Sequence, residues 1–187
     1  MRELRAEVDA FTGPVFVYRV ERAAGADMNE MARFTPAEAA EFSRLGQETF
    51  SAIERMACLT IAAIDGDCFG GALDLILGFD LRFATERSRF SHPGAKLGIV
   101  TGFGGTSRWR NVIDSRAARR LFLANDVLSA SDAMVLGLID AIGDVPPIAA
   151  LDPATVRMVK ELTIHGPRLS QRELVLLAER LAAVYGQ

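Results

Sequence analysis

The segment Ile64-Asp65-Gly66-Asp67-Cys68-Phe69-Gly70-Gly71-Ala72-Leu73-Asp74 holds the residues best placed for chemistry. An apolar run leads through a turn signal into a glycine pair and directly into a helical pattern. Glycine lets the backbone turn tightly and come close to a ligand. A helix start there presents unpaired amides, a setting suited to a negatively charged oxygen. Ala24-Gly25-Ala26-Asp27 is a second small-residue loop after a strand-like run. It meets the demand for another backbone amide close to a ligand, with no side chain in the way. Each segment read alone is also a plain tight turn or loop.

A third segment, Phe90 to Thr106, is punctuated by Gly94, Gly98, Gly102, Gly104 and Gly105. A phosphate loop is excluded because no Lys-Ser or Lys-Thr follows Gly105, and the glycine spacing does not fit a dinucleotide fingerprint. His92 and His165 are the only histidines, so no metal-ligand spacing can be assembled. Asp67 reads as a turn or subunit-contact residue, and Trp109 and His165 as packing or surface residues.

These residues need elements to position them. Leu4, Val8 and Phe11 mark one side of a helix over 2–10, stopped by Thr12-Gly13-Pro14. Val15 to Val20 is β-branched and aromatic, as a strand requires. Thr35, Pro36 and Glu38 form a helix start with a capping box, and Phe42, Leu45, Gly46, Thr49, Ile53 and Met56 follow at helical spacing. Leu59–Ile64 reads as a strand buried on both faces. A sharp turn is expected through 65–71, then a short buried helix and a strand over 80–84. Helices are expected from near Gly105 and Ser115, from Ser129 with Asp132, from Asp152-Pro153, and from Ser170 with Glu173. The repeated order is strand, turn, helix.

The chain has 187 residues, 50% of them hydrophobic and 24% charged, enough for one well-buried domain. A net charge of −3 without a basic run gives no reason to expect a nucleic-acid partner. Arg116, Arg119 and Arg120 have the spacing of a solvated or subunit-facing helix surface. The apolar runs are too short to span a bilayer, so no membrane partner is expected. Cys58 and Cys68 are too few for a disulfide framework, and the charged opening decade is unlike a signal peptide. A reducing, cytoplasmic setting is the expectation.

Four motifs in order make the sequence similar to the enoyl-CoA hydratase/isomerase (crotonase) superfamily. They are Ala24-Gly25-Ala26-Asp27-Met28, the Asp65–Asp74 segment, Phe90 to Gly98 with Gly102-Phe103-Gly104-Gly105-Thr106, and Ser129 to Asp140. The resemblance covers roughly residues 4–145. It implies an α/β spiral of ββα units with C-terminal helices, whose N-terminal strands are missing or shortened here. The spiral core would take 1–145 and a helical region of the same domain 146–187. It implies a coenzyme A thioester as substrate, no tightly bound cofactor, and assembly as a homo-trimer or hexamer. The matching oxyanion amides are those of Ala26 and Gly71. Ala24, Ala26, Asp27, Gly70, Gly71 and Gly94 are the matching positions around the coenzyme and thioester.

The resemblance breaks at the two acid/base positions. Family hydratases place a glutamate at each; this chain has Asp74 and Gly94. Aspartate keeps the carboxylate on a shorter stem, and glycine removes the second group. His92 is the replacement candidate, since imidazole serves as acid or base near neutral pH; it also reads as a hydrogen-bonding residue of the turn before Pro93. Some family members with glycine at that position recruit an external anion, and Thr101 stands where such a member carries an aspartate. The implied function is an acyl-CoA lyase or isomerase with Asp74 and His92 as acid/base groups. The alternatives are an acyl-CoA hydrolase, decarboxylase or carbon–carbon bond enzyme, or a catalytically silent acyl-CoA-binding subunit.

Overall fold

The computed structural model describes residues 1–165 and 179. Helix α1 (Arg2–Ala10) buries Leu4 and Val8 and packs on α3 (Pro36–Glu54), which buries Gly46, Thr49, Phe50 and Ile53. The expected capping box is present: Thr35 Oγ1 accepts from the Glu38 amide at 3.3 Å, and Glu38 Oε2 accepts from the Thr35 amide at 2.7 Å. Phe50 is almost fully enclosed, a burial that contributes about 1.5–3 kcal/mol.

One six-stranded sheet forms the centre. β2 (Leu59–Phe69) pairs in parallel with β1 (Val15–Ala23), β3 (Leu81–Ala84) and β4 (Arg89–Ser91). Ile61 lies opposite Val17 on one side and Leu81 on the other, while Asp67 lies opposite Arg89 further along. Two-residue strands extend the sheet: β5 (Leu128–Ser129) runs antiparallel to β4, and β6 (Ala141–Ile142) parallel to β3. Between the strands stand α4 (Gly71–Ile76), α5 (Gly105–Arg108), α6 (Ser115–Arg119) and α7 (Ala130–Val135). A short α2 (Met28–Met31) follows the first strand, a 3₁₀ turn (Pro93–Leu97) follows β4, and a π-helical turn (Arg120–Ala124) extends α6. α8 (Pro153–His165) starts where Asp152-Pro153 placed it, with the Asp152 carboxylate accepting from the Thr155 amide at 2.7 Å. The helix expected from Ser170 and the side chain of His165 lie outside the described residues.

One expectation is corrected. The sharp turn assigned to 65–71 begins only at Gly70, because β2 continues through Asp65, Gly66, Asp67, Cys68 and Phe69. Burial alternates along this second half. Asp65 and Asp67 are held there by Arg87 and by Arg89 (2.8 and 2.9 Å), so two acidic residues that looked like turn formers sit comfortably in a strand. The turn itself falls on Gly70, whose φ of 54° with ψ of −125° suits a residue without a Cβ.

Candidate active site

The ends of β1 and β2 deliver two backbone segments to one place. A Cβ on Gly25 would lie 2.5 Å from the Gly71 amide nitrogen, and one on Gly71 would lie 3.6 Å from the Ala26 nitrogen. The two loops therefore press together with only backbone between them, and Gly25, at φ 92°, is suited to both the space and the conformation. Among the described residues neither the Ala26 nor the Gly71 amide has a hydrogen-bond acceptor. Both residues line a cavity of about 220 Å³. Two adjacent, unpartnered N–H groups at a cavity wall are the arrangement that stabilises a developing oxyanion.

Of the eight residues singled out from the sequence, Ala24, Ala26, Gly70, Gly71, His92 and Gly94 line this cavity, and Asp27 and Asp74 do not. The Asp27 carboxylate is the N-cap of α2, accepting from the Asn29 amide at 2.8 Å. Asp74 is fully buried behind the wall, 3.4 Å from His92 Nε2 through its Oδ1, and its Oδ2 accepts a hydrogen bond from the Thr101 hydroxyl. Asp67 is ion-paired with Arg89 across the β2–β4 pairing, and Trp109 packs against the core.

The remaining wall is mostly apolar, with Met28, Met31, Phe34, Phe42, Val100 and Phe103 contributing beside the hydroxyl residues Ser43 and Thr101. No Asp, Glu, Lys or Arg lies among the described residues that line it. Phe103 is central to the wall, edge-on to Phe42 at 5.2 Å and Phe50 at 5.7 Å. It also sits directly against Gly46 of α3 and Gly71. That contact explains a glycine on the buried face of a long helix: a larger residue at 46 would collide with the Phe103 ring. The loop carrying Phe103 is tied to α3 by Gln47 Nε2 donating to Gly102 O (2.6 Å). Arg108 ties it further by donating to Phe103 O (2.6 Å) and Ser51 Oγ (2.8 Å). Sequence reading weighed Thr101 only as a departure from a family pattern and gave Phe103, Arg108 and Phe122 no role, since their partners lie far away along the chain. Two larger clefts, about 600 and 410 Å³, lie against α8 and contain none of the candidate residues. Among the described residues no three His, Cys, Asp or Glu side chains are grouped to hold a metal ion.

The model of the enoyl-CoA hydratase/isomerase family matches residues 21–175. The chain belongs to the enoyl-CoA hydratase/isomerase family. Its similarity to individual family proteins runs the same way. It is 38% identical over 119 residues to a crotonyl-CoA hydratase of Syntrophomonas wolfei, covering 64% of this chain and 46% of that protein. It is 40% identical over 118 residues to the enoyl-CoA isomerase/hydratase fer4 of Mycosarcoma maydis, covering 63% and 43%. The chain thus matches less than half the length of these relatives. Among solved structures it is similar to Pseudomonas aeruginosa DspI (TM-score 0.80, 28% identity, 97% of this chain and 82% of that one). The enoyl-CoA hydratase of Thermoplasma volcanium shares the fold (TM-score 0.84, 23% identity, 100% and 80%). The crotonase-like α/β fold expected from the motifs is the fold found. In this chain Ala26 and Gly71 follow the ends of two adjacent parallel strands, β1 ending at Ala23 and β2 at Phe69.

Proposed function

We propose that this family member binds an acyl-CoA thioester and stabilises its enolate in the oxyanion hole formed by the Ala26 and Gly71 amides, with hydratase or isomerase chemistry following. The observation that carries this reading is the pair of unpartnered amides abutting at an apolar cavity. Negative charge gathering on the thioester oxygen would meet two preoriented donors, a contribution worth about 10²–10³ in rate per donor. The apolar wall suits a neutral acyl group, because an unpaired carboxylate there would be desolvated without a partner. The coenzyme, carried in as part of the substrate, would pass beside Ala24. Supply of two catalytic carboxylates, as a two-glutamate hydration needs, does not match Gly94 and the enclosed Asp74. Hydrolysis, decarboxylation and carbon–carbon bond chemistry therefore stand as alternatives to hydration or isomerisation.

Incubation with a panel of neutral acyl-CoA esters, followed by mass analysis, separates them. Gain of water, an isomer of unchanged mass, loss of CO₂ or release of free coenzyme each identifies a reaction. Tight binding with no product anywhere in the panel would instead make the chain a silent acyl-CoA-binding subunit, and no binding at all would overturn the proposal. Trimeric or hexameric assembly and a cytoplasmic setting belong to the same proposal; sedimentation velocity tests the first.

A further inference from the structure

Asp74 and His92 face each other, yet only one of them faces the cavity. Asp74 has 0% of its surface exposed and is absent from the cavity wall, whereas His92, itself 5% exposed, forms part of it. Within the protein Oδ2 accepts from the Thr101 hydroxyl, and Oδ1 lies 3.4 Å from His92 Nε2. Gly105 closes the remaining side so tightly that any Cβ there would overlap Oδ1. Oδ1 and Nε2 are both fully buried, and neither has another partner among the described residues, so each is the one group able to satisfy the other. A shared proton between them assigns the Nε2–H tautomer and leaves Nδ1 with a lone pair. Nδ1 lies on the side of Gly94, where a Cβ would stand 3.2 Å from it. Phe122, 4.8 Å away centroid to centroid, braces the ring.

We propose that His92 is the single proton-transfer residue of this site, and that Asp74 is a positioning residue acting through it, with Thr101 fixing the carboxylate from the other side. This rests on the reading that the cavity holds an acyl thioester. In the step assigned to His92, Nδ1 takes the proton from the carbon next to the thioester carbonyl. The C–H electron pair forms the enolate, and the negative charge moves to the oxygen held by Ala26 and Gly71. The imidazolium then returns a proton to carbon, and the residue is regenerated. Asp74 faces the positive ring through Oδ1.

The experiment uses trans-3-hexenoyl-CoA in D₂O and follows loss of the α-protium by mass spectrometry, with binding measured separately by calorimetry. Wild-type protein binds the probe and exchanges the proton. His92→Gln binds comparably but exchanges about 10²–10⁴-fold more slowly and loses the pH-dependent limb of the rate. Asp74→Asn slows kcat by about 10²-fold with little change in KM, and its pH profile moves rather than disappears. Thr101→Val gives a smaller fall in kcat with the limb retained. Added imidazole restores exchange to His92→Ala and not to Asp74→Asn. Thermal unfolding of each variant separates a local effect from loss of fold. Exchange by His92→Gln within threefold of wild type would overturn the proposal, as would an Asp74→Asn profile superimposable on wild type. Binding without exchange in the wild type sinks this assignment while leaving the acyl-CoA reading intact; failure to bind removes both.

Discussion

Gly25 and Gly94 are as consequential as any side chain in the site, because each leaves room that something else uses. At Gly25 the room belongs to the Gly71 amide, and a methyl group would stand 2.5 Å from its nitrogen. Gly25→Ala should therefore lower kcat by about 10²–10³ in acyl-CoA turnover, the effect of removing one oxyanion donor. Stability should fall as well, since φ of 92° is foreign to alanine; a urea melt alongside the kinetics separates the two effects. At Gly94 the room belongs to the His92 ring and to Ile99 O, which a Cβ would approach to 2.8 Å. Replacing Gly94 by glutamate, the residue family hydratases carry there, should thus fail to create a second acid. The expected result is a loss of about 1–3 kcal/mol from overpacking, with turnover reduced because the imidazole is displaced. A gain in hydration rate with unchanged stability would refute this account. The sequence made both glycines visible as departures or close approaches. It gave no sign that Asp74 would lie behind the wall, because Thr101, Gly105 and His92 enclose it from positions that only the folded chain brings together.

The element that sets the depth of the site is α3. Its Gly46 receives Phe103, and its Gln47 and Ser51 hold the loop that follows, so a helix with no residue assigned to chemistry shapes the acyl wall. Truncating Phe103, which is buried between Phe42 and Phe50, should cost about 3–5 kcal/mol in chemical unfolding. Affinity for an acyl-CoA should fall with it, more for long acyl groups than for short ones. A variant that unfolds at the wild-type denaturant concentration would contradict that packing role. Helix starts were the most legible parts of the chain, since capping at Thr35 and Ser129 is a local matter of one hydroxyl and an acidic residue three positions on. Strand ends were less legible. Asp65 and Asp67 read as a turn because their partners come from elsewhere, Arg87 from the turn before β4 and Arg89 from β4 itself, and register between strands is written nowhere in the local sequence. β5 and β6, two residues each, carry too little pattern to stand out.

Across the whole molecule, the carboxylates give stability a definite acid limb. Asp65 is held below the ordinary carboxylate value chiefly by its hydrogen bond from Arg87, and Asp67 by Arg89. Asp114 is held down by the Ala117 and Arg116 amides, and Asp132 by the Ser129 hydroxyl and amide. The native state therefore binds fewer protons than the unfolded chain in this range. Their contribution is fully present above the unfolded value of about 3.9 and is lost as pH falls through the lower folded values. Urea midpoints should stay nearly level from about pH 7 to pH 5 and decline below about pH 4. Added salt should weaken the part owed to the arginine pairs, which are solvent-exposed. The sheet has a kinetic consequence as well. β2 joins β1, β3 and β4 without a hairpin, every pairing being parallel, so Val15 meets Leu59 only after all of α3 has been accommodated. Such distant pairings must be closed before they contribute anything, and chains built on them fold slowly for their size. β2 is the strand its neighbours must find, so damage to it should be read in the refolding rate as much as in the melting temperature.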